Sequence, residues 1–116
     1  MGLIEDVKAL GADVDDALAR FMNNSALYEK MLKKLPKVIE DAPVMPYVRS
    51  GDLETAMSNA HTLKGVLGNL SLVKLYENYT ETVNLLRGGD TAAAEKLLTE
   101  TLELQKSFLE CIEKHM

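Results

Sequence analysis

The chain has only one cysteine, Cys111, and no tryptophan among its 116 residues. A single cysteine excludes an internal disulfide, and no apolar run is long enough to span a bilayer, so a cytoplasmic protein is expected. The first residues also lack the basic and apolar regions of a signal peptide. Basic residues are nowhere clustered and the net charge is −5. Nucleic acids and anionic membranes attract clustered lysine and arginine, so neither is an expected partner.

Alternation of apolar and polar residues, the pattern of a half-buried strand, is also missing. Helical periodicity covers nearly the whole chain instead, and apolar residues make up 47% of it. This length and composition fit one globular domain over residues 1–116 with a single core. The sequence therefore predicts an all-α fold.

The first half of the chain predicts two helices and an irregular segment. A short helix is expected over Val14 to Met22, and a second one carries apolar residues at helical spacing up to Pro36. Proline is expected to bend or restart this helix because it lacks a backbone N–H. Residues 42–46 have no regular pattern. Whether residues 3–10 form a helix that packs on the rest stays open.

Three longer helices are predicted in the second half, over residues 53–69, 72–87 and 91–114. Asp52 and Asp90 follow glycine breaks and are expected N-caps for the first and third of them. The short loops favour an antiparallel up-down four-helix bundle with a short additional N-terminal helix, spanning about residues 14–115. The buried face of the middle helix is expected to contain Leu72, Leu75, Tyr76, Tyr79, Val83 and Leu86. The buried stripe of the last is expected to contain Leu98, Leu102, Leu109 and Ile112, with Cys111 packed among core residues.

The run from Ala60 to Gly65 is the most informative part of the chain. In the predicted helix that contains this run, apolar residues recur at spacings of three and four and form one face: Leu53, Ala56, Ala60, Leu63, Leu67 and Leu70. His61 is not on that face, so its imidazole is expected to point outward. Its neighbours on the helix surface are Met57, Ser58, Lys64, Gly65 and Gly68. Each glycine costs a helix interior about 1 kcal/mol relative to alanine, which suggests that Gly65 and Gly68 clear space for a partner.

An outward imidazole beside a lysine can carry an anionic group. An unperturbed histidine has a pKa of about 6.5, so at neutral pH its unprotonated ring nitrogen can attack an electrophile. The ammonium of Lys64 suits a phosphoryl oxygen. The chain has no glycine-rich phosphate loop and no carboxylate cluster, so no kinase activity is expected. No metal site is expected either, because His115 is the only other histidine and lies at the terminus.

The sequence His61-x-x-Lys64-Gly65, preceded by Ala60 and by Gly51-Asp52-Leu53-Glu54, resembles the histidine-containing phosphotransfer (HPt) domain. Leu27-Tyr28, the Gly-Asp break before the histidine and the last helix behind Gly88-Gly89-Asp90 also resemble that family. The resemblance covers about residues 14 to 115.

The resemblance implies a free-standing, monomeric phosphorelay intermediate of two-component signalling. His61 would take a phosphoryl group from the phospho-aspartate of a receiver domain and pass it to another receiver. Lys64 would stabilise that group, and Gly65 would leave room for the partner. The implied partners are response-regulator receiver domains and a hybrid histidine kinase. No cofactor is expected, because Mg²⁺ would belong to the receiver alone. Met57, Ser58 and Val66 are candidate docking residues. For Met57 the reason is that interface centres favour apolar residues over charged ones, and the alternative is that it packs against the neighbouring N-terminal segment.

Two departures from the family keep alternatives open. Val66 and Leu67 follow Gly65 where small residues are common, and no glutamine lies between Leu72 and Arg87, where some relatives have one near the histidine. One alternative is a helical adaptor that binds a receiver without becoming phosphorylated. Another is a structural bundle or dimerisation unit in which the motif occurs by chance.

Overall fold

A computed structural model describes residues 2–116, and within that range it contains seven helices and no strand. The all-α prediction is therefore confirmed. The helices are α1 (Leu3–Ala9), α2 (Val14–Arg20), α3 (Ser25–Asp41), α4 (Met45–Ser50), α5 (Leu53–Asn69), α6 (Val73–Arg87) and α7 (Thr91–Glu113).

Three of the four longest helices, α3, α5 and α7, begin where a capping side chain satisfies a free backbone N–H. Asp52 accepts a hydrogen bond from the Thr55 backbone N–H at 3.2 Å and so begins α5. Asp90 accepts from the Ala93 N–H at 3.1 Å and begins α7 in the same way. Both predicted aspartate caps are confirmed.

Pro36 was expected to bend or restart the second helix, and the restart is wrong. Pro36 lies inside α3, which is continuous from Ser25 to Asp41. A proline inside a helix costs about 3 kcal/mol. The burial of Tyr28, Leu32 and Leu35 in the protein core offsets that cost.

A short helix begins within residues 42–46, where the sequence showed no regular pattern. Met45 is the first residue of α4, and Pro46 follows it within the first turn. A proline there breaks no helical hydrogen bond, because the first N–H groups of a helix have no partner inside it. The short helix ends at Gly51, whose φ of 83° is left-handed.

The four longest helices contact one another in a closed ring. Helix α3 contacts α5 and α7, and α6 also contacts α5 and α7. The short helices lie against this ring, α1 on α3 and α7, and α4 on α5 and α7. Leu3 and Val7 of α1 are 2% and 0% exposed, so the first helix packs on the rest and the core begins before residue 14.

Two residues expected in the core are instead at its edge. Tyr76 of α6 is 38% exposed, although the rest of its predicted face is buried. Leu102 of α7 is 37% exposed, and of its predicted stripe only Leu98 and Ile112 are fully buried. On α7 the inward line after Leu98 continues through Thr101 and Gln105, which are buried, so Leu102 is turned outward. The reason for the exposure of Tyr76 lies at the candidate site.

The helices of residues 2–116 include none with enough length and apolar character to cross a membrane.

Candidate functional site

Helix α5 divides into a buried side and an outward side. Ala56, Ala60, Leu63 and Leu67 are at most 2% exposed, and they fix the rotation of the helix on the core. His61 lies between these positions and is exposed, as predicted. The burial of the apolar residues therefore places the imidazole at the surface, in the middle of a long and capped helix.

Neither His61 nor Lys64 has a side-chain hydrogen bond or ion pair with another residue of the described range. Lys64 follows His61 by three residues, so the two side chains project from neighbouring points of the helix surface. Lys64 is half-buried, and Ser58 on the preceding turn is exposed. The imidazole and the ammonium are therefore both free to contact a group brought from outside.

The two glycines of the motif have different surroundings. A Cβ added to Gly65 would meet nothing within 4 Å, so the surface beside His61 is open there. A Cβ added to Gly68 would lie 2.9 Å from Cδ1 of Tyr76. The space above Gly68 is thus filled by the tyrosine ring, which explains why Tyr76 lies at the edge of the core. Of the two expected clearance residues, only Gly65 leaves open space.

The three candidate docking residues are also in different surroundings. Met57 is partly buried against the core, so its side chain belongs mostly to the packing. Val66 is partly buried and lines a surface cleft, and Ser58 is exposed. Val66 is packed against the core to a similar degree as Met57, so only Ser58 and the part of Val66 that lines the cleft remain open to a partner.

Two open clefts flank the second half of α5. The first cleft, about 370 Å³, lies among α2, α5 and α6 and is lined by Asp16, Arg20, Gly65, Gly68, Asn69, Ser71, Val73 and Tyr76. The second cleft, about 340 Å³, lies among α2, α3 and α5 and is lined by Arg20, Phe21, Met31, Lys34, Leu35, Val38, Val66, Asn69 and Leu70. Arg20 and Asn69 belong to both clefts. The surface next to His61 is therefore grooved, and its second groove is largely apolar.

The turn between α5 and α6 is held by hydrogen bonds from α2 and α3. The Tyr28 hydroxyl donates to the Leu70 carbonyl at 2.8 Å, and the Asp13 N–H donates to the Ser71 carbonyl at 2.9 Å. The Ser71 hydroxyl donates to Asp16 Oδ2 at 2.6 Å. These bonds hold Ser71 in the left-handed region at φ 57°, where non-glycine residues are uncommon.

Burial of Tyr28 raises the pKa of its hydroxyl to about 12, with a smaller contribution from the charge of Asp13. The phenol thus remains a hydrogen-bond donor well above neutral pH. Its ring also packs against Phe21, with the ring centroids 5.6 Å apart. Tyr28 therefore joins α3 to the end of the helix that carries His61.

Sequence reasoning missed Asp16, Arg20 and Ser71 as residues of this surface. Asp16 and Arg20 are four residues apart on α2, a spacing typical of helical ion pairs, and this signal was available in the sequence. The bond from Ser71 to Asp16 joins positions 55 residues apart, and no local pattern indicates it.

The side chains of His115, Gln105 and Cys111 are each paired or buried. His115 Nε2 lies 2.8 Å from Asp6 Oδ2, a contact that joins the end of α7 to α1. The one glutamine, Gln105, accepts a hydrogen bond from the Tyr79 hydroxyl in the core. Cys111 is buried, as predicted, and burial raises the pKa of its thiol. Across residues 2–116 no three His, Cys, Asp or Glu side chains are grouped as a metal site would require.

Comparisons of the chain with protein-family models, with curated proteins and with solved structures found no match.

Proposed function

We propose that this chain is a cytoplasmic HPt-like phosphorelay intermediate. It accepts a phosphoryl group on His61 from the phospho-aspartate of a receiver domain and passes it to another receiver. The main support is the position of His61, outward and without a partner, beside the unpaired Lys64 and the open surface at Gly65. No other histidine of the chain has such surroundings, because His115 contacts Asp6.

The transfer needs little from the chain beyond a nucleophile and a cation. The unprotonated ring nitrogen of His61 attacks phosphorus, and the N–P bond forms as the bond from phosphorus to the aspartyl oxygen breaks. The aspartate leaves as a carboxylate with the electron pair of that bond. The Lys64 ammonium offsets the charge of the phosphoryl oxygens. Onward transfer is the reverse reaction with a second aspartate, and Mg²⁺ would be supplied by the receiver.

The closed ring of contacts among α3, α5, α6 and α7 supports an antiparallel up-down four-helix bundle as the scaffold. In such a bundle each long helix keeps one side free. A reactive group at the middle of α5 is then rigidly held while a partner can reach it from the side.

The experiment is to incubate the protein with phosphoramidate, a small donor that requires only a reactive imidazole. We expect an acid-labile phosphoryl group on the wild type and none on His61→Gln. The matched control is His115→Gln, which removes the only other imidazole. Its label should equal that of the wild type. A label that persists in His61→Gln and disappears in His115→Gln would contradict the proposal.

A second experiment separates the carrier from a receiver-binding adaptor, for which the apolar second cleft gives a binding surface. Receiver domains phosphorylated by phosphoramidate are mixed with the wild type and with His61→Gln. A carrier removes the phosphoryl group from a receiver only when His61 is present. An adaptor binds the receiver equally well in both proteins and removes nothing.

A further inference from the structure

Arg20 is the last residue of the short helix α2. It lines both clefts beside α5, and the first of these also contains Gly65, one turn beyond His61. Its side chain is 52% exposed. The guanidinium therefore lies on the same grooved surface as the candidate phosphorylation site.

The Arg20 side chain is oriented by a hydrogen bond to Asp16, which in turn accepts a hydrogen bond from Ser71. Its Nε donates to Asp16 Oδ2 at 2.9 Å, and the buried Ser71 hydroxyl donates to the same oxygen at 2.6 Å. The Ser71 bond, followed by that from Arg20, holds the pKa of Asp16 below its ordinary value. Asp16 is thus an anion at neutral pH and keeps the guanidinium oriented.

An ordinary helical ion pair does not account for this arrangement. Such a pair at four residues' spacing stabilises a helix by about 0.2–0.5 kcal/mol and needs only its two partners. Here a third residue, Ser71, reaches the same carboxylate from the α5–α6 turn. Only Nε of Arg20 is used, and its two terminal nitrogens form no hydrogen bond with other residues of the described range. The two terminal nitrogens of a residue that lines both clefts are therefore free to donate to a partner.

The charge around Arg20 indicates what that occupant carries. The whole chain has a net charge of −5, yet the second cleft is lined by Arg20 and Lys34 and by no carboxylate. The one carboxylate of the first cleft, Asp16, is already bound by Arg20 and Ser71. A partner with an apolar surface edged by acidic side chains is complementary to this face.

We propose that Arg20 is a partner-recognition residue, positioned by Asp16 and Ser71, whose free guanidinium nitrogens bind a carboxylate on the docking surface of the receiver domain. This inference rests on the proposed function. Arginine suits the role because its planar fork binds a carboxylate through two parallel hydrogen bonds. Arg20 does not touch the phosphoryl group in this scheme, so it contributes to association and leaves the transfer step itself unchanged.

The test compares Arg20→Gln with Arg49→Gln. Arg49 is a matched control because its Nε also pairs with one carboxylate, Glu95, at 3.0 Å, and its side chain is 63% exposed. Initial rates of transfer are measured against the concentration of a phosphorylated receiver, using receivers encoded in the same genome. We expect the half-saturating concentration to rise about five-fold or more for Arg20→Gln. This corresponds to a loss of about 1 kcal/mol or more of binding free energy, as is typical when an important interface arginine is truncated. Arg49→Gln should match the wild type, and the maximal rate should be unchanged in both.

Asp16→Asn tests the positioning role. The amide oxygen can still accept from Ser71, but the charge that orients Arg20 is lost. We expect the half-saturating concentration to shift in the same direction as in Arg20→Gln, by a smaller factor. The thermal midpoints of all three variants should stay close to that of the wild type, since exposed ion pairs add little stability.

Phosphoramidate labelling of each variant separates this inference from the proposed function. Normal labelling with equal half-saturating concentrations for Arg20→Gln and Arg49→Gln would overturn the role of Arg20 and leave the function standing. Failure of the wild type to be labelled would overturn both. Normal labelling without transfer from any receiver would also overturn the role of Arg20, because it requires a receiver as the partner.

Discussion

On one side of α5, Ala56, Ala60, Leu63 and Leu67 are almost wholly buried, whereas on the other side His61 and Gly65 face solvent. Both sides belong to the same turns of one helix. The buried side is fixed by close packing, in which even one methylene matters. The outward side contributes little to that packing, so its residues can be chosen for chemistry without loss of the fold. Substitutions on the two sides should therefore separate stability from the proposed phosphoryl transfer.

The largest effect is expected at the buried side. Leu63→Ala removes a side chain that is 2% exposed, and such core truncations cost about 2–5 kcal/mol. We expect that loss in the free energy of unfolding by chemical denaturation. Leu102→Ala on α7 is the control, because Leu102 is 37% exposed and should cost far less. Labelling of His61 by phosphoramidate should persist in Leu63→Ala wherever the variant is folded. Equal costs for the two variants would show that the burial of Leu63 does not set the cost of its truncation.

A smaller effect is expected where α5 ends. Tyr28→Phe keeps the ring but leaves the Leu70 carbonyl without its 2.8 Å donor, at a cost of about 1–3 kcal/mol. The cost should also depend on pH. The folded-state pKa is raised from 10.0 to about 12, so the neutral phenol is favoured by folding. That contribution is complete below pH 10.0 and is lost as the pH rises toward about 12.

Denaturation at a series of alkaline pH values, on the wild type and Tyr28→Phe, checks the sign. The difference in unfolding free energy between the two proteins should shrink as the pH rises through that window. A difference that grows with pH would contradict the assignment.

The smallest effect compares the two glycines of the outward side. Gly65→Ala adds a methyl group into open space and should stabilise the helix by about 0.5–1 kcal/mol. Gly68→Ala places its methyl 2.9 Å from Tyr76, so the gain should be cancelled or reversed. In a Tyr76→Ala background the two alanine substitutions should stabilise alike. Thermal denaturation of this double-mutant cycle measures the coupling. Equal gains in the presence of Tyr76 would show that its ring moves freely.

Much of the fold follows from local sequence. The apolar spacing of α5 and the aspartates at positions 52 and 90 determined where two helices begin and which side is buried, because capping and amphipathicity act over a few residues. The outward direction of His61 followed from the same spacing. Reasoning from single residues failed where packing overrides local preference. Pro36 stays inside α3 because its neighbours are buried, and a regular helix begins at Met45 within a segment that lacked a clear pattern.

The residues of the candidate site could also be predicted from the sequence. His61, Lys64 and Gly65 lie within one turn or so of each other, so a helix alone brings them together. The prediction that Gly68 also clears space for a partner is wrong, because the Tyr76 ring fills that space. That contact depends on how α6 packs against α5, which no spacing within α5 encodes.

The sequence by itself determined that this protein is helical, where α5 begins, and that its histidine faces outward beside a lysine, because each of these depends on residues a few positions apart. Only the tertiary structure decided that Arg20 lies on the same surface as His61 and that Ser71 donates a hydrogen bond to Asp16. The same holds for the hydrogen bond from Tyr28 to Leu70 at the end of α5. These contacts join residues 42 and 55 positions apart. Their geometry exists only once the helices have packed, because the core fixes how far each helix turns and which of its polar groups meet.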